Sequence, residues 1–416
     1  MKQLTLALTL AIGMAACSAS PDSNGQAQTS RGELPRNAPL DPNLKDVPAT
    51  TGRANMPIAP APFTVTEIGQ FDEPFAIAFL PGDKGALITE KAGVLKLRQP
   101  NGTVTEIGGV PRVAAGGQGG LLDVAPAPDF ARTRTIYFSY AEPGAEGSAL
   151  ALARATLDVR YRECDTAPCP VERARLGNLA VIWRSGSNGP GGQFGSIITF
   201  SPDGKYLFLT SGERQRFTPA QDPKQALGKI LRLTLDGKAA PGNPMYAKGG
   251  VEAMTWSTGH RNPSGLVFAP DGRLWEEEMG PRGGGELNLI VAGRNYGWPI
   301  VSNGDNYSGQ PIPDHPSRPD LEAPKLWWNP SISPGGMIYY SGNMFPQYKG
   351  SLFITAMSTP GLIRVTLSGD NATAANYWDF GTRLRDVAQA DDGSIWLLED
   401  GEKGSGGRLL RLTPKS

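Results

Sequence analysis

Histidine occurs only twice in this 416-residue chain, so imidazole acid–base chemistry can come from His260 or His315 and nowhere else. His260 lies in Gly259-His-Arg-Asn-Pro and reads as a residue that hydrogen-bonds backbone between blades rather than as a metal ligand. His315, in Pro313-Asp-His-Pro, reads as a loop residue. Carboxylates are better supplied. Glu276-Glu277-Glu278 ends an apolar run, and strand alternation favours a single inward acid, Glu278, over three acids around a metal. The run Gly280-Pro-Arg-Gly-Gly-Gly has the glycines of a phosphate loop, but no helix start follows, which excludes the Rossmann and P-loop readings. No Gly-x-Ser-x-Gly elbow is present, and a Ser-His-Asp triad would have to recruit one of the two histidines. The residues left to carry chemistry are amides, acids and arginines, and guanidinium forks suit a carboxylate-bearing ligand.

The elements that position these residues are β-strands. Gly 53 and Pro 37 exclude a helical bundle or coiled coil, because both residues interrupt helices. Lys plus Arg at 40 balances Asp plus Glu at 40, which excludes nucleic acid and anionic membrane as main partners. From Phe63 onward a unit recurs six times: a short apolar strand, a Pro-Asp-Gly-like turn, a second apolar strand, and later a third. Clear copies are Ser196-Ile-Ile-Thr-Phe-Ser-Pro-Asp-Gly-Lys-Tyr-Leu-Phe-Leu and Gly265-Leu-Val-Phe-Ala-Pro-Asp-Gly-Arg-Leu-Trp. The pattern predicts an all-β fold, a six-bladed β-propeller of four-stranded antiparallel blades over residues 63–416. Antiparallel geometry then gathers residues preceding first strands with residues following second strands at one channel mouth. The first group is Gln118, Gln193, Arg261, Asn262, Arg383 and Arg385; the second includes Glu90, Glu213, Gly280, Pro281, Ser358 and Glu399.

Before the repeats, residues 1–16 read as an export signal, with Lys2 ahead of an apolar run too short to span a bilayer. Met14-Ala-Ala-Cys17 resembles a bacterial lipoprotein processing box, which implies lipidation at Cys17, a periplasmic location and anchoring to the outer membrane. Residues 17–62 are rich in Ser, Asn, Pro, Ala and Gly and read as a tether, leaving the lipid as the only membrane contact. Cys164 and Cys169, with a turn between them, most simply form a local disulfide in an oxidising compartment. A redox-active pair or a metal site is the alternative, and zinc would want further Cys or His nearby.

Five motifs at the mouth resemble the soluble quinoprotein sugar dehydrogenases, the glucose/sorbosone dehydrogenase family. They are Gly117-Gln-Gly-Gly-Leu-Leu-Asp-Val, Gly259-His-Arg-Asn-Pro, Gly280-Pro-Arg-Gly-Gly-Gly-Glu-Leu-Asn-Leu-Ile, Asn295-Tyr-Gly-Trp-Pro and Arg383-Leu-Arg-Asp-Val. The resemblance implies a propeller that binds pyrroloquinoline quinone (PQQ) and Ca²⁺, oxidises an aldose at C1 to the lactone, and passes electrons to an external acceptor. Carried over by motif, Gln118 contacts cofactor and substrate, Trp328 walls the sugar pocket, and Arg261 and Asn262 touch the quinone. Arg383 and Arg385 grip its carboxylates, and the Gly280 and Pro281 carbonyls hold its Ca²⁺. Glu286, the Tyr296 carbonyl and Asp305 resemble a second, structural Ca²⁺ site.

Three departures bear on catalysis. The family's catalytic histidine aligns with Gln193, and an amide cannot accept a proton at useful pH. The partner aspartate is Glu213, which keeps a carboxylate. The cofactor-binding lysine falls in Thr355-Ala-Met-Ser-Thr-Pro, where there is no cation. A smaller change is Gly285, where the family often carries an acid beside Glu286. Either Glu213 acts as base, its pKa raised by burial and met by Arg261, or the protein binds a sugar without oxidising it. A lactonase-type metal-dependent hydrolase is the third reading.

Overall fold

A computed structural model of the chain describes residues 56–82, 84–165 and 169–415. The export signal, Cys17 and the tether up to residue 55 lie outside the described residues. Within them the fold is all-β, and the longest helix, Gly250–Met254, has five residues.

Strand β1 (Phe63–Gln70) opens the chain of sheets. The first meander is β2 (Pro74–Phe79), β3 (Ala86–Glu90), β4 (Val94–Arg98) and β5 (Val104–Gly108). The second is β6 (Leu121–Pro126), β7 (Thr135–Gly144), β8 (Gly147–Tyr161) and β9 (Val171–Arg184). The third comprises β10 (Gly195–Phe200), β11 (Tyr206–Ser211), β12 (Lys229–Thr234) and β13 (Thr255–Thr258). In the fourth, β14 (Pro263–Phe268) and β15 (Leu274–Glu278) are followed by a short β16 (Arg282–Gly283), then β17 (Gly285–Ile290), β18 (Gly304–Asp305) and β19 (Leu326–Trp328). The fifth is β20 (Pro334–Tyr339), β21 (Ser351–Ala356), β22 (Gly361–Ser368) and β23 (Asn371–Asp379). The last is β24 (Leu384–Gln389), β25 (Ile395–Glu399) and β26 (Arg408–Pro414), and β1 supplies its fourth strand by pairing with β26. One feature departs from six separate sheets: β5 and β9 pair in parallel, at Ile107 with Ala174 and Gly108 with Arg175, which fuses the first two meanders into an eight-stranded sheet. β16 and β18 form a separate two-stranded ribbon.

Alternation along these strands sends apolar side chains to both faces, so each sheet must bury two surfaces. The cores accordingly lie between successive meanders. Leu97, Leu121 and Phe138 join the first and second; Leu152, Leu207 and Leu231 join the second and third. Trp275, Trp328 and Ile354 join the fourth and fifth, and Ile88, Trp396 and Leu409 join the last and first. Buried hydroxyls stitch the same junctions. Thr89 Oγ1 accepts from Ala76 N within its own meander and donates to Leu122 O in the next. Ser139 does the same with Asp123 N and Ser196 O, and Thr210 with Ile197 N and Pro263 O. Asp386 Oδ2 of β24 accepts from Ile77 N of β2 at 2.8 Å, linking the last meander to the first.

Packing begins ahead of β1. Met56 is buried in the core between the fourth and fifth meanders, Ala59 N donates to Tyr377 O at 2.8 Å, and Trp378 Nε1 donates to Pro60 O at 3.2 Å. Apolar residues and free carbonyls at 56–61 found partners on β23, which the loop-like composition of this segment conceals.

Candidate active site

Five of the expected residues, Gln118, Gln193, Glu213, Arg261 and Asn262, meet at the junction of the third and fourth meanders. Gln193 sits after the Gly191-Gly192 turn with a φ of 55°, a left-handed conformation held by its surroundings. Arg214 does much of the holding. Its guanidinium donates to the carbonyls of Gly192 (2.9 Å), Ser148 (2.9 Å), Gly189 (3.2 Å) and Gly191 (2.6 Å), and it lies 3.8 Å from the Phe194 ring centroid. Burial, with the charge of Arg216, pushes this arginine's pKa down to about 10. The turn so fixed lets Gln193 N donate to Gln118 Oε1 at 2.6 Å.

The Gln193 amide then bridges an acid and a cation. With its oxygen and nitrogen placed to satisfy both ends, Nε2 donates to Glu213 Oε1 and the amide oxygen accepts from Arg261 Nη2 at 2.8 Å. Glu213 N donates to Arg261 O at 2.9 Å, and Glu213 Oε2 accepts from the backbone N–H groups of Arg216 and Phe217. Burial raises the Glu213 carboxyl above its ordinary range, against the lowering pull of Arg261 and three backbone donors. Glu213 is only 1% exposed.

Arg261 and Asn262 are set from below by Glu278, whose Oε2 accepts from Arg261 N at 2.5 Å and Asn262 N at 3.1 Å. Asn262 Oδ1 in turn accepts from Gly195 N at 3.1 Å, tying the two meanders together. Among the described residues, no carboxylate lies within hydrogen-bonding distance of the Arg261 guanidinium. Nη1 donates to Met279 O at 2.8 Å, Nη2 reaches the Tyr307 hydroxyl at 3.4 Å, and the group lies 5.3 Å from the Trp298 ring centroid. Tyr307, 55% exposed, was not singled out in the sequence because its loop carries no strand pattern.

Gly280, Glu286 and Tyr296 line one small cavity with Arg261, Glu278 and Trp298. Its free space is about 10 Å³, room for one water or ion. A Cβ on Gly280 would lie 2.2 Å from Gly284 O and 2.3 Å from Gly283 O, so this turn accepts only glycine and presents carbonyls at close range. Of the residues expected at the two Ca²⁺ sites, one from each does not line it. Pro281 is outside the lining, and Asp305 is exposed and pairs through its backbone with Arg282 in the two-stranded ribbon. The ribbon's hydrogen bonds decide that placement, and acid spacing cannot report them. His315 also departs from expectation. It is 3% exposed, with Nε2 3.2 Å from Glu286 Oε1. All three acids of Glu276–Glu278 are buried, where one inward acid was expected.

Arg383 and Arg385 come together as expected, but on a carboxylate of the chain itself. Asp400 Oδ2 accepts from Arg383 Nε at 2.6 Å, and Oδ1 accepts from Arg385 Nε at 2.7 Å and from its Nη2. The two guanidinium groups hold the Asp400 carboxyl below its ordinary range although burial pulls the other way. Both arginine side chains keep about a fifth of their surface exposed, at 20% and 18%. Trp328, expected at the sugar pocket, is fully buried in the core between the fourth and fifth meanders, and its backbone pairs with Gly285. The disulfide between Cys164 and Cys169 is present.

Residues 71–411 match the profile of the glucose/sorbosone dehydrogenase family. The chain belongs to this family. It is 37% identical over 367 residues to aldose sugar dehydrogenase YliI of Escherichia coli, covering 86% of this chain and 95% of that protein. It is 33% identical over 282 residues to quinoprotein glucose dehydrogenase B of Acinetobacter calcoaceticus, covering 62% of this chain and 58% of that one. Among solved structures, the apo E. coli aldose sugar dehydrogenase superposes with a TM-score of 0.77 at 36% identity, over 85% of this chain and all of the other. The PQQ-bound aldose sugar dehydrogenase of Streptomyces coelicolor gives 0.65 at 30%, over 86% and 99%.

Proposed function

We propose that this protein is a PQQ- and Ca²⁺-dependent dehydrogenase that oxidises an aldose at C1 to the lactone and delivers electrons to an external acceptor. The observation that carries the reading is the buried constellation Glu213–Gln193–Arg261 at the junction of the third and fourth meanders. The residues fit an anionic cofactor: among the described residues Arg261 has a buried Nε without a partner, and Arg383 and Arg385 share one carboxylate while staying partly exposed. Arg261, Asn262, Arg383 and Arg385 would hold the quinone, with Gln118 at its edge, and Gly280 and Pro281 would offer carbonyls to its Ca²⁺. When bound, the quinone supplies the two-electron acceptor for the hydrogen at C1. Glu213, poised by burial above its ordinary pKa, takes the proton of the C1 hydroxyl. Gln193 orients Glu213 Oε1, and Arg261 stabilises the carboxylate once the proton leaves.

The six meanders, their shared cores and the hydrogen bond from β24 to β2 support a six-bladed propeller as the scaffold. Glu286 and Tyr296, lining one small cavity, support a structural Ca²⁺ site in which the Tyr296 carbonyl would be a ligand. Export and lipid anchoring at Cys17, in the periplasm at the outer membrane, complete the proposal.

A second reading is favoured by one observation. Glu213 is almost fully covered, with Oε1 capped by Gln193 and Oε2 by two backbone donors, as suits a ligand-binding protein without turnover. Dye reduction by the quinone-loaded protein across a panel of aldoses separates the two. Turnover with at least one aldose supports the dehydrogenase. Sugar binding without dye reduction supports the binder.

A further inference from the structure

Behind the mouth, Glu278, which sets the backbone of Arg261 and Asn262, also meets two buried groups that the reaction does not use, His260 and Glu276. His260 and Glu276 are fully buried and Glu278 is 3% exposed. One donor atom from each lies within 4.8 Å of the others. Register explains the convergence: Glu276 and Glu278 share one face of β15, opposite Asn288 and Glu286 of β17. Among the described residues, no Lys or Arg side chain forms an ion pair with Glu276 or Glu278. Among the described residues, Glu276 Oε1 and the facing Asn288 Oδ1 are buried and have no hydrogen-bond partner. Orphaned acceptors beside a second carboxylate are costly unless a cation meets them.

His260 has the bearing of a ligand. Nε2 lies 2.9 Å from Ser257 Oγ, the ring stacks on Tyr296 at 4.8 Å, and Nδ1 faces Glu278 Oε1 at 3.2 Å. With Nε2–H donating to Ser257, the Nδ1 lone pair points at a carboxylate oxygen. Two adjacent donors about 2.1 Å from one ion lie about 3 Å apart, which the 3.2 Å separation matches. The hydroxyl that orients the ring is the outer-shell partner such ligands carry.

We propose that His260, Glu276 and Glu278 bind one divalent transition-metal ion of the Mn²⁺ or Zn²⁺ type, in addition to any Ca²⁺ held by carbonyl oxygens. Imidazole with carboxylates suits first-row ions, whereas Ca²⁺ prefers oxygen alone. The ion would take Glu278 Oε1 while Oε2 continues to hold the backbone of Arg261 and Asn262, bracing that turn from beneath. The inference does not depend on quinone chemistry. Its test uses chelator-stripped full-length protein saturated with Ca²⁺ and titrated with Mn²⁺ or Zn²⁺ alone. One equivalent is expected to bind, the Mn²⁺ electron spin-echo spectrum should carry one imidazole nitrogen coupling, and Glu276→Gln should weaken binding roughly 100-fold. Failure of Mn²⁺ and Zn²⁺ to bind the Ca²⁺-loaded wild type, bound Mn²⁺ without nitrogen coupling, or unchanged affinity in Glu276→Gln would overturn it. Should that variant not fold, the wild-type nitrogen signal decides alone.

Discussion

Arg261 and the pair Arg383–Arg385 carry the same charge and are held in opposite ways. Arg261 is buried against neutral groups: a carbonyl, a phenol, an amide and an aromatic face. Its charge is left to act on the Glu213 carboxyl, whose pKa it pulls down against burial. Arg383 and Arg385 are half-buried and share Asp400, which halves their charge and fixes their geometry. An uncompensated cation tunes a neighbouring acid, while a compensated pair makes a rigid fork for an anion arriving from outside.

The predictions probe that contrast. Glu213→Gln should leave quinone binding intact and lower turnover by roughly 100-fold or more, the usual scale for losing a general base; unchanged turnover would remove Glu213 from that role. Arg385→Ala should weaken quinone binding about tenfold to a hundredfold, the range for a hydrogen bond to a charged group, with turnover at saturation little changed. If turnover falls instead, the fork acts in the reaction. The pH dependence separates tuning from binding. Glu213 must be ionised to accept a proton, so kcat/KM should rise with pH through a value above the ordinary glutamate range. Gln193→His should add an imidazole limb to that profile.

Stability offers a smaller test. Burial pushes Asp386 up to about 7, so between pH 4 and 7 the folded chain holds a proton that the unfolded chain has lost. That contribution is present at low pH and is lost as pH rises through 7. Thermal melts should show a declining Tm over this window, flattened in Asp386→Asn. The smallest effect belongs to the disulfide. Its loop is closed by cysteines five positions apart, and its loss should cost about 2 kcal/mol with activity unchanged.

The repeat pattern placed the strands because Pro-Asp-Gly turns and alternating apolar residues are local signals. It also brought Gln118, Gln193, Glu213, Arg261 and Asn262 to one junction, since antiparallel topology alone puts them at the same end. What escaped depends on register and long-range pairing. Trp327 and Trp328 differ by one step of alternation, and only the pairing of Gly285 with Trp328 decides which is covered. Asp400 follows Glu399 directly, yet Glu399 turns to Arg408 while Asp400 turns to the two arginines. His315 looks like loop until the segment folds back onto Glu286.

The most direct measurement loads the protein with quinone and Ca²⁺, omits any electron acceptor, and follows the bound quinone's absorbance after rapid mixing with an aldose. Full bleaching in wild type, with Glu213→Gln binding the quinone equally well but bleaching at least 100-fold more slowly, is the predicted result. A loaded wild type that binds sugar yet never bleaches with any aldose would contradict the dehydrogenase and leave a binding protein.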